Sequence, residues 1–375
     1  MKLLHVASFV GNVGDNASHR GLGRLLGSLG LQPEWTRLEM RRFYRNARPA
    51  DRLRFDASFV EQANQHDLLI VGGGGFLDYW VPDSASGTTL DMAPELLAQL
   101  RVPTLITSVG CAPHKPVPPG NVQRFRRFLD AALANPCIRI AVRNDGSVDA
   151  IRRDIGAHYL ERIPQVLDHG FFYADARTPD FLPEGPFVAM NIADDQVRMN
   201  STLRGAIDEE RYFDQLAATC AHITGARDLP LVLVPHIPAD LMAIARLLAR
   251  MDDLTVRQRV SVAPCIQGEG GADRLFGVYA AARLVLATRL HANICSLAMQ
   301  RRTVGMVALD RVQFVYDQLG LSDDAVLLAG DFSGPLIRRT DRALDDVAPA
   351  LSLDAPRAAS RALYRGWLQD LGLVR

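Results

Sequence analysis

Short apolar runs alternate with longer amphipathic stretches along nearly the whole chain, and that rhythm specifies a buried parallel sheet wrapped by helices. In the first half the candidate strands are 3–9, 67–71, 103–109 and 138–142. Between them apolar positions fall three and four apart, as in Leu22, Leu25, Leu26 and Leu29, or Phe125, Phe128, Leu129 and Leu133, so helices are expected there. The rhythm breaks at 173–185, a polar stretch with two prolines that reads as a linker. It then restarts with candidate strands at 187–192, 231–234, 260–263, 284–287, 303–307 and 325–328. The fold class expected is α/β in two similar halves, one over 1–175 and one over 186–345. The tail, 355–375, spaces Ala359, Leu363, Trp367, Leu368 and Leu371 as a helix that packs back on the first domain.

A chain of 375 residues has room for about two to three domains. Its 42 basic and 42 acidic side chains cancel, so no global charge calls for nucleic acid or an anionic membrane, and local anion sites stay open. The cysteines, Cys111, Cys137, Cys220, Cys265 and Cys295, are odd in number and far apart. That pattern argues against a disulfide framework and against a thiolate zinc site, and favours a reducing compartment. The first residues run straight into a strand and a glycine turn, with no signal-peptide pattern, and no apolar run reaches the length of a membrane span. A soluble cytoplasmic protein is expected.

Four loops of the first half carry residues suited to chemistry. The first, Gly11-Asn12-Val13-Gly14-Asp15-Asn16, follows strand one; it is either a tight turn with Asp15 or Asn16 capping the next helix, or a ligand contact. The second is the glycine run 72–75 followed by Asp78, Tyr79 and Trp80; Gly73 and Gly74 allow close approach of a substrate, Asp78 is suited to a sugar hydroxyl, and close helix packing is the structural alternative. In the third, His114 and Lys115 sit in a proline-rich loop after a strand. In the fourth, Arg143 ends a strand before Asp145 and Ser147, as an anion ligand or as a partner for Asp145, with Asp145 or Ser147 as helix cap.

The sharpest group lies in the second half, where Thr288 can cap a helix opened by Arg289, Leu290 and His291. An arginine and a histidine at a helix N-terminus, at the carboxyl edge of a sheet, form an environment that favours a phosphate or carboxylate. His236, with Asp240 four residues on, ends another strand. No HExxH, GxSxG, GxGxxG or P-loop pattern occurs, so a metal site, a serine hydrolase and a P-loop enzyme all lack support.

Taken in order, Gly11-Asn-Val-Gly-Asp15, the run 72–75, Arg143 with Asp145 and Ser147, Val234-Pro-His236 with Asp240, and Thr288-Arg-Leu-His-Ala292 followed by the strand at 304–307 resemble the polysaccharide pyruvyl transferase family, over about residues 6 to 320. The resemblance implies two Rossmann-like domains facing a cleft, GT-B-like, with the acceptor on the N-terminal side and the donor on the C-terminal side. It implies phosphoenolpyruvate as donor substrate, no cofactor, a hydroxyl pair of a glycan or lipid-linked saccharide as acceptor, and a pyruvate ketal as product. Through such an acceptor the protein would meet a membrane peripherally. The family's arginine and histidine map onto Arg289, as donor ligand, and His291, as general acid. Asp15 is a candidate to orient or deprotonate the acceptor, and Arg143, His236 and His114 are secondary donor-site candidates. Members often carry a lysine after the next strand; here the text is Ala308-Leu-Asp-Arg311-Val-Gln313, and Arg311 is the candidate replacement. A nucleotide-sugar glycosyltransferase of the same fold is the alternative reading, with Asp310 as ribose ligand.

Overall fold

A computed structural model describes residues 1–204, 208–346 and 351–374. The chain divides into two units, one formed by Met1–Phe9, Leu22–His169 and Asp354–Arg375, the other by Val10–Gly21 and Gly170–Leu353. Each unit is built on one six-stranded, wholly parallel sheet.

In the first unit the strands are β1 (Lys2–Ala7), β2 (Glu34–Glu39), β3 (Leu68–Gly72), β4 (Thr104–Val109), β5 (Ile138–Arg143) and β6 (Gln165–Val166), ordered β2-β1-β3-β4-β5-β6. β3 and β4 are buried at every position, as strands covered by helices on both faces must be. The helix Asn121–Ala134 buries Phe125, Phe128 and Leu129 against this sheet's core. β2 and β6 escape the apolar-run pattern for different reasons: β2 is an edge strand with no fully buried residue, and β6 is two residues long. The tail forms the helix Asp354–Asp370 and belongs to this unit. Its buried face is Ser360, Tyr364, Trp367 and Leu368 rather than the all-apolar stripe expected. Tyr364 shares hydroxyl hydrogen bonds with Thr107 Oγ1 (2.5 Å) and His169 Nε2 (2.8 Å).

In the second unit the strands are β7 (Val188–Asn191), β8 (Leu231–Leu233), β9 (Val260–Val262), β10 (Leu284–Ala287), β11 (Thr303–Val307) and β12 (Ala325–Leu327), ordered β12-β11-β10-β7-β8-β9. Counted within the unit, this is the 3-2-1-4-5-6 order of a Rossmann sheet, in which the direction of winding reverses between β7 and β10. The 173–185 stretch holds no strand or helix, yet Tyr173 is fully buried and Arg177 N–H donates to the Asp273 carbonyl at 2.8 Å.

The sequence boundary at 1–175 and the structural division differ at two places, since residues 170–175 and the segment Val10–Gly21 both count with the second unit. Val13 and Ala17 are buried in the core that contains Phe276, Tyr279 and Ala292, so Val10–Gly21 counts with the second unit although its neighbours in sequence form the first.

Candidate active site

Ligands of open parallel sheets bind beyond the carboxyl ends of the strands, where the winding reverses. In the second unit that position is occupied by Asn191, at the end of β7, and by Thr288 and Arg289, directly after β10. Asn191 ties the strand ends together. Its Oδ1 accepts from Arg289 N–H (2.9 Å), its amide donates to the Val234 carbonyl (2.9 Å), and its carbonyl accepts from Thr288 N–H (3.1 Å).

The helix after β10 is Leu290–Ala298, and its N-cap is Arg289 with no side-chain cap, not Thr288 as the sequence predicts. The reason is Asn293, whose amide donates to the carbonyls of Ala287 and Arg289 (2.9 and 3.0 Å) and is held in turn by Tyr316 (2.8 Å), closing the turn from within. The helix therefore begins with uncapped N–H groups at the sheet edge.

Arg289 is buried but not idle. Asp240 accepts from its Nε at 2.8 Å and from its Nη2, and Asp195 accepts from Nη2 at 2.9 Å. Burial pushes its pKa down, and the bonds and charges of Asp240 and Asp195 more than restore it, so the guanidinium stays charged. Turned with its oxygen toward the guanidinia, the Gln196 amide accepts from Arg289 Nη1 (3.3 Å) and from Arg311 Nη2 (3.1 Å). Arg289, directly after β10, and Arg311, in the helix Asp310–Gln318 that follows β11, thus converge on one neutral acceptor, a geometry that suits an anion.

Asp15 approaches His291 from the Val13–Ser28 helix: its Oδ1 is 3.4 Å from His291 Nδ1 and accepts from Asn12 Nδ2 at 3.0 Å. The helix starts at Val13, so Asp15 lies in its first turn, and neither Asp15 nor Asn16 is its cap; Asn12 Oδ1 instead accepts from Gly14 N–H (3.0 Å). Asn16 is buried and accepts from Gly268 N–H (3.1 Å), which docks the first turn against the helix Gly268–Ala281. Gly14 is dictated by closeness: a Cβ there would lie 2.9 Å from His291 Cβ and 3.2 Å from His236 Nδ1. His236 is fully buried, with Nε2 2.8 Å from the Tyr279 hydroxyl and its N–H donating to Asp240 at 2.8 Å. Burial, then the charges of Arg289 and His291, hold its pKa well below the ordinary value, so it is a neutral ring. Leu290, between Arg289 and His291 in the sequence, is buried.

The remaining sequence candidates gather in the first unit, at the carboxyl edge of its own sheet. Gly110 N–H donates to the Gly74 carbonyl (2.9 Å), Asp78 accepts from Ala112 N–H (2.9 Å), and His114 Nε2 is 3.5 Å from Asp78 Oδ2. The glycine run has local reasons. A Cβ on Gly72 would collide with the Thr107 carbonyl and one on Gly74 with the Phe76 ring, while Gly73 has φ +81°. Arg143 is buried in ion pairs with Asp145 (2.5 Å) and Asp168 (3.2 Å). The helix there is capped by Gly146, and Ser147 Oγ donates to Asp145 (2.5 Å). Trp80 carries Lys115 over its ring at 4.4 Å.

Sequence reasoning passed over Asn191, Asp195 and Gln196, and noted Asp240 only as a neighbour of His236. An Asn followed by two acidic residues just past a candidate strand was the available signal. Among the described residues no group of His, Cys, Asp or Glu is placed to hold a metal ion, and no helix is long and apolar enough to cross a membrane.

A family model described as polysaccharide pyruvyl transferase matches residues 12–310. No curated protein matches the chain. Among solved structures, UDP-GlcNAc 2-epimerase from Methanocaldococcus jannaschii is similar at 10% identity and a TM-score of 0.56, over 97% of this chain and 99% of that one. A UDP co-structure of MnaA from S. aureus gives 12% identity and 0.56, over 100% and 98%. A glycosyltransferase from Rickettsia africae gives 10% and 0.54, over 99% and 95%. At these identities the likeness is one of fold, two Rossmann-like domains of the GT-B kind.

Proposed function

The chain belongs to the polysaccharide pyruvyl transferase family and is a transferase, and from that premise we propose that it moves pyruvate from phosphoenolpyruvate onto a hydroxyl pair of a glycan, releasing phosphate. The observation that carries the reading is the assembly of Arg289, Arg311, His291 and Asp15 around one uncapped helix N-terminus. Phosphoenolpyruvate brings a phosphate and a carboxylate, and a charged arginine, a second arginine and the positive end of a helix supply anchors for both.

With Asp15 Oδ1 3.4 Å from His291 Nδ1, the carboxylate faces that nitrogen and Nε2 is the one left to transfer the proton. Protonated His291 delivers that proton to the donor's methylene carbon. The first sugar hydroxyl bonds to the adjacent carbon and returns its proton to His291; the second hydroxyl then attacks the same carbon, the bond to the phosphate oxygen breaks, and that hydroxyl's proton leaves with the phosphate as the ketal closes. Asp15 acts in this scheme through His291, so its first role is to orient the acid. A neutral, buried His236 beside them holds the loop without competing for the proton. His114, Asp78 and the loop at Gly73 and Gly74 belong to the first unit, and we assign them to the acceptor; Arg143, already paired twice, is assigned to the framework of that edge. A lipid-linked acceptor would bring the enzyme to a membrane surface.

The test is a thermal shift of the wild type and of Arg289→Ala with phosphoenolpyruvate, inorganic phosphate and UDP-sugars in parallel. A ligand at a hundred times its Kd stabilises by about 2.7 kcal/mol. Stabilisation by phosphoenolpyruvate that disappears in Arg289→Ala supports pyruvyl transfer. A response to UDP-sugars alone sinks it and favours glycosyl transfer, with Asp310 as the ribose ligand.

A further inference from the structure

Seven arginines and two carboxylates fall within residues 37–54, an excess of five positive charges in a chain whose total is zero. The segment begins on β2, the edge strand of the first sheet, and runs on through two short 3-10 turns, Met40–Phe43 and Pro49–Asp51. Met40, Phe43 and Phe55 are buried; Phe43 stacks on Phe55 with ring centres 4.1 Å apart, and both rings meet Phe59 edge-on at 5.8 and 4.9 Å. These apolar pins fix the backbone while Arg37, Arg42, Arg45, Arg48, Arg52 and Arg54 remain exposed. Compensation is partial. Arg41 pairs with Glu39 (3.3 Å), and Arg45 lies 3.3 Å from Asp91. Arg48, Arg52 and Arg54 have no carboxylate within salt-bridge distance among the described residues.

We propose that this face docks the protein on an anionic phospholipid surface. A guanidinium fork matches the phosphate of a headgroup, and clusters of four to eight basic side chains are the usual size of such contacts. The charge balance favours a lipid surface over a nucleic acid. Zero total means that the rest of the chain carries five excess negative charges, which repel a long polyanion following the surface but do not touch a planar membrane met by one face. Tyr44 and Leu53, both half-buried among the arginines, add apolar contact at the headgroup level. The inference needs no donor or acceptor, so it stands apart from the reaction proposed above.

The experiment is co-sedimentation of the full chain with phosphatidylcholine vesicles, with and without phosphatidylglycerol, at low and high salt. The variants are Arg48→Gln/Arg52→Gln/Arg54→Gln and the same three positions changed to Lys, each checked for fold by circular dichroism. Wild type is expected on the anionic vesicles only, and released by salt. At about fivefold per arginine, the Gln variant partitions about a hundredfold less, while the Lys variant retains most of the binding. Equal partitioning of wild type and the Gln variant, binding to neutral vesicles, or retention on RNA without vesicle binding would each overturn the proposal.

Discussion

Asp195 and Asp240 both hold Arg289, and they differ in what a ligand can displace. Asp240 is almost fully buried and also accepts from His236 N–H and Ile237 N–H (2.8 and 3.3 Å), so it belongs to the frame. Asp195 has a side chain 36% exposed and a single contact of 2.9 Å to the guanidinium. An incoming anion competes with Asp195 for Nη2. Asp195→Asn is therefore expected to tighten phosphoenolpyruvate, lowering its KM by up to about fivefold, the worth of one half-exposed ion pair; steady-state kinetics read this directly, and a raised KM would make Asp195 a structural prop instead. His236 gives a second residue-scale prediction. Its folded pKa lies well below the ordinary 6.5, so the stability it allows is complete above that pH. As pH falls below 6.5 the unfolded chain takes up a proton that the folded one refuses, and stability drops by up to about 1.4 kcal/mol per pH unit until the folded pKa is reached. Urea midpoints across a pH series should show this slope in wild type and a flatter curve in His236→Gln.

At the scale of elements, the first turn of the Val13–Ser28 helix and the first turn of Leu290–Ala298 meet through Gly14, and the site depends on that closeness. Gly14→Ala places a methyl group 2.9 Å from His291 Cβ, so one helix must give way. Turnover is expected to fall by about a hundredfold, as misplacement by an ångström can cause, with a smaller loss of stability of about 1–3 kcal/mol; kcat and a urea melt on the same variant separate the two. Nothing in the local text announced this contact. Gly14 was legible as a turn residue, whereas its partner lies far along the chain. Ten of the twelve strands follow from their apolar runs; central strands such as β3, β4, β10 and β11 are buried at every position and must be written in apolar residues, while the edge strands β9 and β12 are mostly apolar in sequence though partly exposed. β2, partly exposed at the sheet edge, is under no such demand. Arg289 and His291 were legible because a strand end, a helix start and a charged pair coincide in one stretch. The carboxylates that hold Arg289 were not, since ion pairing across two strand ends leaves no periodic trace.

For the whole molecule, the division of the chain matters more than the boundary in its sequence. The linker at 173–185 invites a cut that would separate the two sheets, yet Val10–Gly21 belongs with the second. That segment supplies Asp15 to His291, buries Val13 and Ala17, and donates Val13 N–H to the His236 carbonyl at 3.2 Å. A fragment of residues 170–353 lacks all of these. Losing a fully buried valine alone removes about 1.5–3 kcal/mol, a large share of a domain's stability of about 5–15 kcal/mol. The fragment is thus expected to melt well below the full chain and to show no stabilisation by phosphoenolpyruvate. Covalently restoring residues 10–21 through a flexible linker should recover both properties in part, read by thermal melts with and without phosphoenolpyruvate. A fragment that binds the donor as tightly as the full chain would show instead that Arg289, Arg311 and the helix N-terminus suffice for the anion, and would confine Asp15 to the proton-transfer step.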